Sequence, residues 1–194
     1  MMKDSSFAKL LKLCALIGCL LCTLFVIAYH YFPVDWLLTL TITIGTTEFH
    51  LVMRLAVGFI ISGIFKDRLN PDNLWFRPKK FERKLYRILR VRRWKAKMPT
   101  YAPGEFSIED NTPEQIIQNS CVAEMVHECI MLASFLPLLA SLRWGAFPVF
   151  LITSILAATF DSCFVMMQRY NRPRFQQYVK YRMFHKTTNR RQRS

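Results

Sequence analysis

Four blocks of more than twenty mostly apolar residues constrain this chain more than any other feature. They run from Leu10 to Phe32, Trp36 to Phe65, Cys121 to Leu142 and Trp144 to Met167. At ~1.5 Å per residue each is long enough, as an α-helix, to cross a hydrocarbon core ~30 Å thick. A soluble domain of 194 residues has no use for four such blocks, and 52% apolar residues beside a net charge of +14 describe a basic membrane protein. The expected fold is all-α and integral to the membrane, a single domain over residues 1–194. The links between the first and second blocks (Pro33 to Asp35) and between the third and fourth (Ser141 to Arg143) are very short, so four transmembrane helices should pair as two hairpins.

Charge sets the expected orientation. Lys3, Lys9 and Lys12 flank the start of the first span, 13 Lys and Arg lie between Lys66 and Lys97, and nine follow Gln168. Only Arg54 and Arg143 fall elsewhere, so 25 of the 27 basic residues lie on one side of an even-numbered bundle. The positive-inside rule then makes both termini, the segment 66–120 and the tail 168–194 cytoplasmic, in a multi-pass protein of the cell membrane. Leu16 to Cys19 reads "LIGC", like a lipoprotein cleavage box, but the apolar run before Cys19 is too short for a signal core and continues well past it. Cys19 and Cys22 form a CxxC without the strand-helix context of a redox motif or histidines at ligand spacing, so the six cysteines read as small packing residues.

The central segment opens on a turn, "NPDN" (Asn70 to Asn73), and Pro78 suits the first turn of a helix running to about Arg90. There Phe81, Leu85, Ile88 and Leu89 recur at helical spacing while Lys79, Lys80, Arg83, Lys84, Arg87 and Arg90 mainly take the other directions. That is a basic amphipathic helix for an anionic membrane surface, anchored by Trp75 and Phe76. After the loop from Met98 to Asn111, "TPEQ" supplies an N-cap at Thr112, proline at the first helical position and Gln115 to complete a capping box. A helix starting there and entering the third span places Glu124 and His127 one to two turns below the polar boundary.

Ionisable residues inside spans cost on the order of 2.5 to 3.5 kcal/mol each and face the bundle interior or a wet cavity. Glu124, His127 and Glu128 share one helical face of the third span, and His50 and Arg54 share one in the second with Glu48 offset. Together they predict a shared polar pocket, or else a structural ion-pair network of Arg54 with Glu48 or Glu124. His127-Glu128 begins an HExxH zinc motif, but Met131 stands at the second ligand position. Glu124-x-x-His127 matches half of a di-iron carboxylate motif, which needs that pair twice plus two more glutamates. With four histidines in the chain, no metal site is expected. General acid–base chemistry asks for less: one histidine, oriented by a carboxylate, takes the proton of a hydroxyl during acyl transfer. No GxSxG nucleophile motif is present, which favours direct transfer over a covalent acyl-enzyme.

Two basic clusters share the cytoplasmic face. "VRRWKAK" (Val91 to Lys97) combines Arg92, Arg93, Lys95 and Lys97 with Trp94, and "QRYNRPR" (Gln168 to Arg174) follows the fourth span. Guanidinium groups bind phosphate or carboxylate bidentately, and beside a bilayer anionic lipid is a better partner than nucleic acid.

"VRRWKAKMP", the "AEMVHE" helix start and above all "MQRYNRPRF" resemble the glycosyl-4,4'-diaponeurosporenoate acyltransferase family, the staphyloxanthin-type carotenoid acyltransferases, over roughly residues 90 to 179. The resemblance implies acyl transfer from an acyl thioester, with acyl-CoA as co-substrate and no resident cofactor, to a sugar hydroxyl of a membrane-embedded glycosylated carotenoid or another glycolipid. Glu124 and His127 match the family's Glu-x-x-His, Trp94 and Lys95 its Trp-Lys pair, and Arg169, Asn171, Arg172 and Arg174 its terminal motif. On that footing His127 is expected as base, Glu124 as its orienter, and the arginines with Lys95 as a donor-phosphate clamp. Glu48, His50, Arg54 and Glu128 are expected to support the pocket. The alternative is a non-catalytic four-helix membrane protein that binds an anionic lipid head group or a partner through its polar intramembrane cluster.

Overall fold

The computed structural model describes residues 5–66 and 68–191, with side chains to residue 181. Lys3 and Arg193 lie outside the described residues, as do the side chains of Arg182, His185, Arg190 and Arg191. The described chain is helical, without strands, and four of its helical segments are long and apolar enough to cross a membrane.

Helix α1 (Ser6–Tyr31) starts at Ser5, whose hydroxyl accepts the amide of Ala8 at 3.0 Å. Helix α2 (Asp35–Phe65) follows after three residues and packs along α1. The face of α1 turned away from α2 carries Leu13, Leu16, Leu20, Leu24 and Ile27, all half-exposed or more. A continuous apolar strip of that length belongs against lipid tails, where a helix satisfies its backbone polar groups internally. Gly18 permits the close approach of α1 to α2: a Cβ there would lie 1.8 Å from a carboxylate oxygen of Glu48.

The segment between α2 and the third span is more broken than its periodicity predicts. The Asn70 turn forms, with the amide of Asn73 on the carbonyl of Asn70 at 3.0 Å. The helix expected from Pro78 to Arg90 is shorter, α3 (Glu82–Ile88), and Phe81 and Ile88 are exposed. It ends because Arg90 adopts a left-handed conformation (φ 51°, ψ 39°), which no α-helix accommodates. After it come α4 (Val91–Trp94) and a 3₁₀ turn, Lys95–Lys97. Val91, fully buried, pins this corner.

Helix α5 (Pro113–Ala133) begins at the Thr112 capping box, and both reciprocal bonds form: Gln115 N–H to the Thr112 hydroxyl, and Thr112 N–H to the Gln115 side chain. The third span does not stay α-helical to Leu142 as its composition predicts. Pro137 lacks the amide that would continue the ladder, and the chain tightens into a 3₁₀ segment (Leu136–Ala140) before α6 (Ser141–Trp144). Gly145, at φ 66° and ψ −134°, makes the reversal in a region closed to other residues. Helix α7 (Phe147–Arg191) then runs through the fourth span and on into the basic tail, passing Pro173 without ending. Helix α5 packs chiefly on α7, and α2 crosses onto both. The polar residues of the three helices meet there.

Candidate active site

Charged side chains at the α2–α5–α7 junction sort into two clusters, one helical turn apart on α5. The first is built on Asp161, the single acid of the fourth span and 1% exposed. Its Oδ2 accepts two bonds from Arg54, from Nη2 at 2.6 Å and Nε at 3.1 Å. Its Oδ1 lies 3.0 Å from Nδ1 of His127. Arg54 is fixed further by the carbonyls of His50 (2.9 Å) and Ala157 (3.3 Å). The imidazole lies flat on Phe164, centroids 4.5 Å apart and planes 7° from parallel. A carboxylate on Nδ1 selects the tautomer with the proton there, leaving Nε2 as a basic lone pair. The His127 side chain keeps 22% of its surface exposed, so the ring is reachable.

The second cluster surrounds Glu124, which is completely buried. Its Oε1 accepts from Nη1 of Arg169 at 2.5 Å, and its Oε2 is paired with Arg172. Arg169 is shared with Glu82 of α3, which takes its Nε at 2.9 Å and Nη2 at 2.6 Å, and it also donates to the carbonyls of Trp75 and Arg77. Arg172 donates to the Cys121 sulfur and lies over the Phe76 ring. The Tyr86 hydroxyl donates to Glu82 at 3.1 Å; burial and the carboxylate beside it push that phenol above the usual tyrosine range.

These positions correct three expectations. Glu124 does not orient His127; Asp161 does, because Glu124 points down α5 to the arginines of α7. Arg54 pairs with Asp161, not with Glu48 or Glu124. Arg169 and Arg172 are engaged by buried carboxylates, so neither presents a free fork to a donor phosphate. Glu48 turns away to α1, where the Cys19 thiol donates to it at 3.2 Å. Glu128 accepts the Trp75 indole N–H at 2.8 Å. His50 is buried beside Arg54, and neither ring nitrogen has a hydrogen-bond partner among the described residues.

Of the remaining motif residues, Lys95, Asn171 and Arg174 come together around Tyr170. Lys95 Nζ reaches the Asn171 side-chain oxygen at 2.5 Å and lies 4.7 Å from the Tyr170 ring centroid, with the Arg174 guanidinium 3.5 Å from the same centroid. Trp94 donates its indole N–H to the carbonyl of Leu89 at 2.9 Å, closing the corner at Arg90. Asp161 and Glu82 were the residues sequence reasoning missed. A signal existed for Asp161, since a lone acid in a span needs a partner; Glu82 stands among six cations of a surface helix and gives none. Among the described residues no group of three metal-binding side chains converges.

No curated protein and no solved structure matches the chain. A family model does: that of glycosyl-4,4'-diaponeurosporenoate acyltransferase matches residues 72–181, more than half of the chain, and covers α3 to α7 with both charged clusters except Arg54. The chain therefore belongs to the glycosyl-4,4'-diaponeurosporenoate acyltransferase family.

Proposed function

We propose that this protein is a membrane O-acyltransferase that moves a fatty acyl group from a thioester to a sugar hydroxyl of a glycosylated carotenoid or related glycolipid, with His127 as general base. The observation that carries this reading is the Arg54–Asp161–His127 chain, which leaves one imidazole nitrogen basic and accessible beside lipid-facing helices. The acceptor hydroxyl gives its proton to His127 Nε2 as its oxygen attacks the thioester carbonyl. When the tetrahedral adduct collapses, the C–S bond breaks and the imidazolium protonates the departing thiolate, so the products are a sugar ester and a free thiol. Asp161 stabilises the transient imidazolium, and the two bonds from Arg54 hold the Asp161 carboxylate in place.

Two helical hairpins with both termini cytoplasmic fit this reading. His127 then lies under the cytoplasmic surface, within reach of a water-soluble donor and a lipid acceptor.

The test is expression of His127→Ala in cells that make the glycosylated acceptor, followed by mass spectrometry of the membrane lipid extract. The acylated product should disappear while the variant accumulates in the membrane at the native level. Acylated product at the native level would overturn the reading. So would a variant that merely fails to accumulate, which would favour the scaffold alternative.

A further inference from the structure

A groove of about 640 Å³ lies between the α3–α4 corner and the cytoplasmic extension of α7. Lys79, Arg83, Arg87, Arg90, Arg92 and Arg93 line one side, and Arg169 and Arg174 the other. Glu82 is the one acid in its wall, and it is already bonded twice by Arg169. Seven cations therefore face one volume with no carboxylate among the described residues within ion-pair distance of them. A topology signal needs positive residues near a span, not positive residues turned toward one another.

Two further observations show that the groove is built. Its corner is made by Arg90 in the left-handed region, a conformation costing a non-glycine residue about 1 to 3 kcal/mol. It is held by the buried Val91 and by the Trp94 indole on the Leu89 carbonyl. The far wall is aromatic: Tyr170 carries the Arg174 guanidinium on its face and meets Tyr86 edge-on, with centroids 5.7 Å apart. Lys95 lies against the same Tyr170 ring, and burial and then the neighbouring charges of Arg174 and Arg92 hold its ammonium below the usual lysine range.

We propose that this groove binds the nucleotide polyphosphate of a coenzyme A thioester, the acyl donor of the reaction above, and the inference rests on that reading. A pyrophosphate with a 3'-phosphate carries roughly four negative charges, whereas a lipid phosphodiester would offset only one of the seven positive ones. The volume falls within the ~300–1,000 Å³ of small-molecule sites. The groove also lies at a useful distance, since the nine residues from Asp161 to Tyr170 rise about 14 Å along α7, a span that an extended pantetheine arm crosses. The arginines holding the nucleotide are then Arg83, Arg87, Arg92, Arg93 and Arg174, while Arg169 and Arg172 anchor the wall behind them.

The experiment is equilibrium binding of unacylated coenzyme A to the full chain in phosphatidylcholine nanodiscs, repeated with dephospho-coenzyme A and in nanodiscs containing phosphatidylglycerol. Coenzyme A should bind saturably, and Arg87→Ala combined with Arg92→Ala should weaken it about tenfold or more. Loss of the 3'-phosphate should weaken it as well. Arg90→Gly, which relieves the strained corner and removes one cation, should weaken binding without lowering the melting temperature. Absence of saturable binding overturns the proposal, as does binding abolished by phosphatidylglycerol, which would make the groove a head-group site. Transfer assays separate this from the catalytic reading: acylation from an acyl carrier protein without coenzyme A binding sinks the groove alone, and coenzyme A binding without acylation from any donor sinks the catalytic reading alone.

Discussion

Glu124 and His127 are neighbours on one face of α5, yet they belong to different kinds of site. Around Glu124 both carboxylate oxygens are taken by guanidinium groups, and Arg169 is in turn saturated by Glu82 and two backbone carbonyls. The Asp161 cluster is just as well ordered on its inner side, but it ends on an imidazole nitrogen with no partner among the described residues. A closed charge network holds helices together; an open-ended one can exchange a proton. Resemblance to a Glu-x-x-His motif cannot make that distinction, since it records the two residues as a pair.

The strongest way to break the comparison is Glu124→Gln. Its carboxylate faces two arginines, one 1% and one 10% exposed, and removing one partner of a buried pair costs about 3 to 5 kcal/mol. The variant should fall sharply in membrane accumulation and melt far earlier in detergent, while any folded fraction retains its specific activity. A variant that accumulates normally but no longer acylates would place Glu124 in the chemistry. Asp161→Asn comes next. It should lower turnover about 10² to 10⁴-fold by losing control of the His127 tautomer, and it should cost stability by leaving Arg54 uncompensated. Adding Arg54→Gln should restore the melting temperature and not the rate; recovery of both would reduce Asp161 to a structural counter-ion.

What could be read from the sequence is local in origin. Four spans follow from runs of apolar residues, and the start of α5 follows from Thr112, Pro113 and Gln115, because a capping box involves only residues three apart. The end of α3 could not be read this way. Its periodicity continues to Leu89, and the left-handed Arg90 that stops it is fixed by the burial of Val91 and the Trp94 bond, neither of which is visible as a pattern. The pairing of Arg54 was out of reach for a related reason. Four intramembrane acids, Glu48, Glu124, Glu128 and Asp161, were available, and the choice among them depends on how α2 is rotated against α1, α5 and α7. That rotation leaves a trace at Gly18, where the absence of a side chain lets Glu48 turn toward α1 and leaves Arg54 to α7. Gly18→Ala puts a methyl group against the Glu48 carboxylate, so it should cost about 1 to 3 kcal/mol by overpacking. It should lower the melting temperature but leave the specific activity of folded protein unchanged. Loss of turnover without loss of stability would mean that Glu48 acts in the site after all.

The smallest expected effect concerns Glu128, the third ionisable group in the same stretch of α5. Its Oε2 accepts the Trp75 indole at 2.8 Å, and the partly exposed side chain lines a small pocket with Met166 and Arg169. An amide oxygen accepts that bond equally well, so Glu128→Gln should shift stability by less than about 0.5 kcal/mol and leave acylation unchanged. Glu128→Leu loses the acceptor and should cost about 1 kcal/mol, read as a small drop in melting temperature and a change in Trp75 fluorescence. The two substitutions separate a hydrogen bond from a charge. If Glu128→Gln lowers the rate while the protein stays folded, the negative charge is needed near His127. The open cluster would then extend to Glu128 instead of ending at the imidazole.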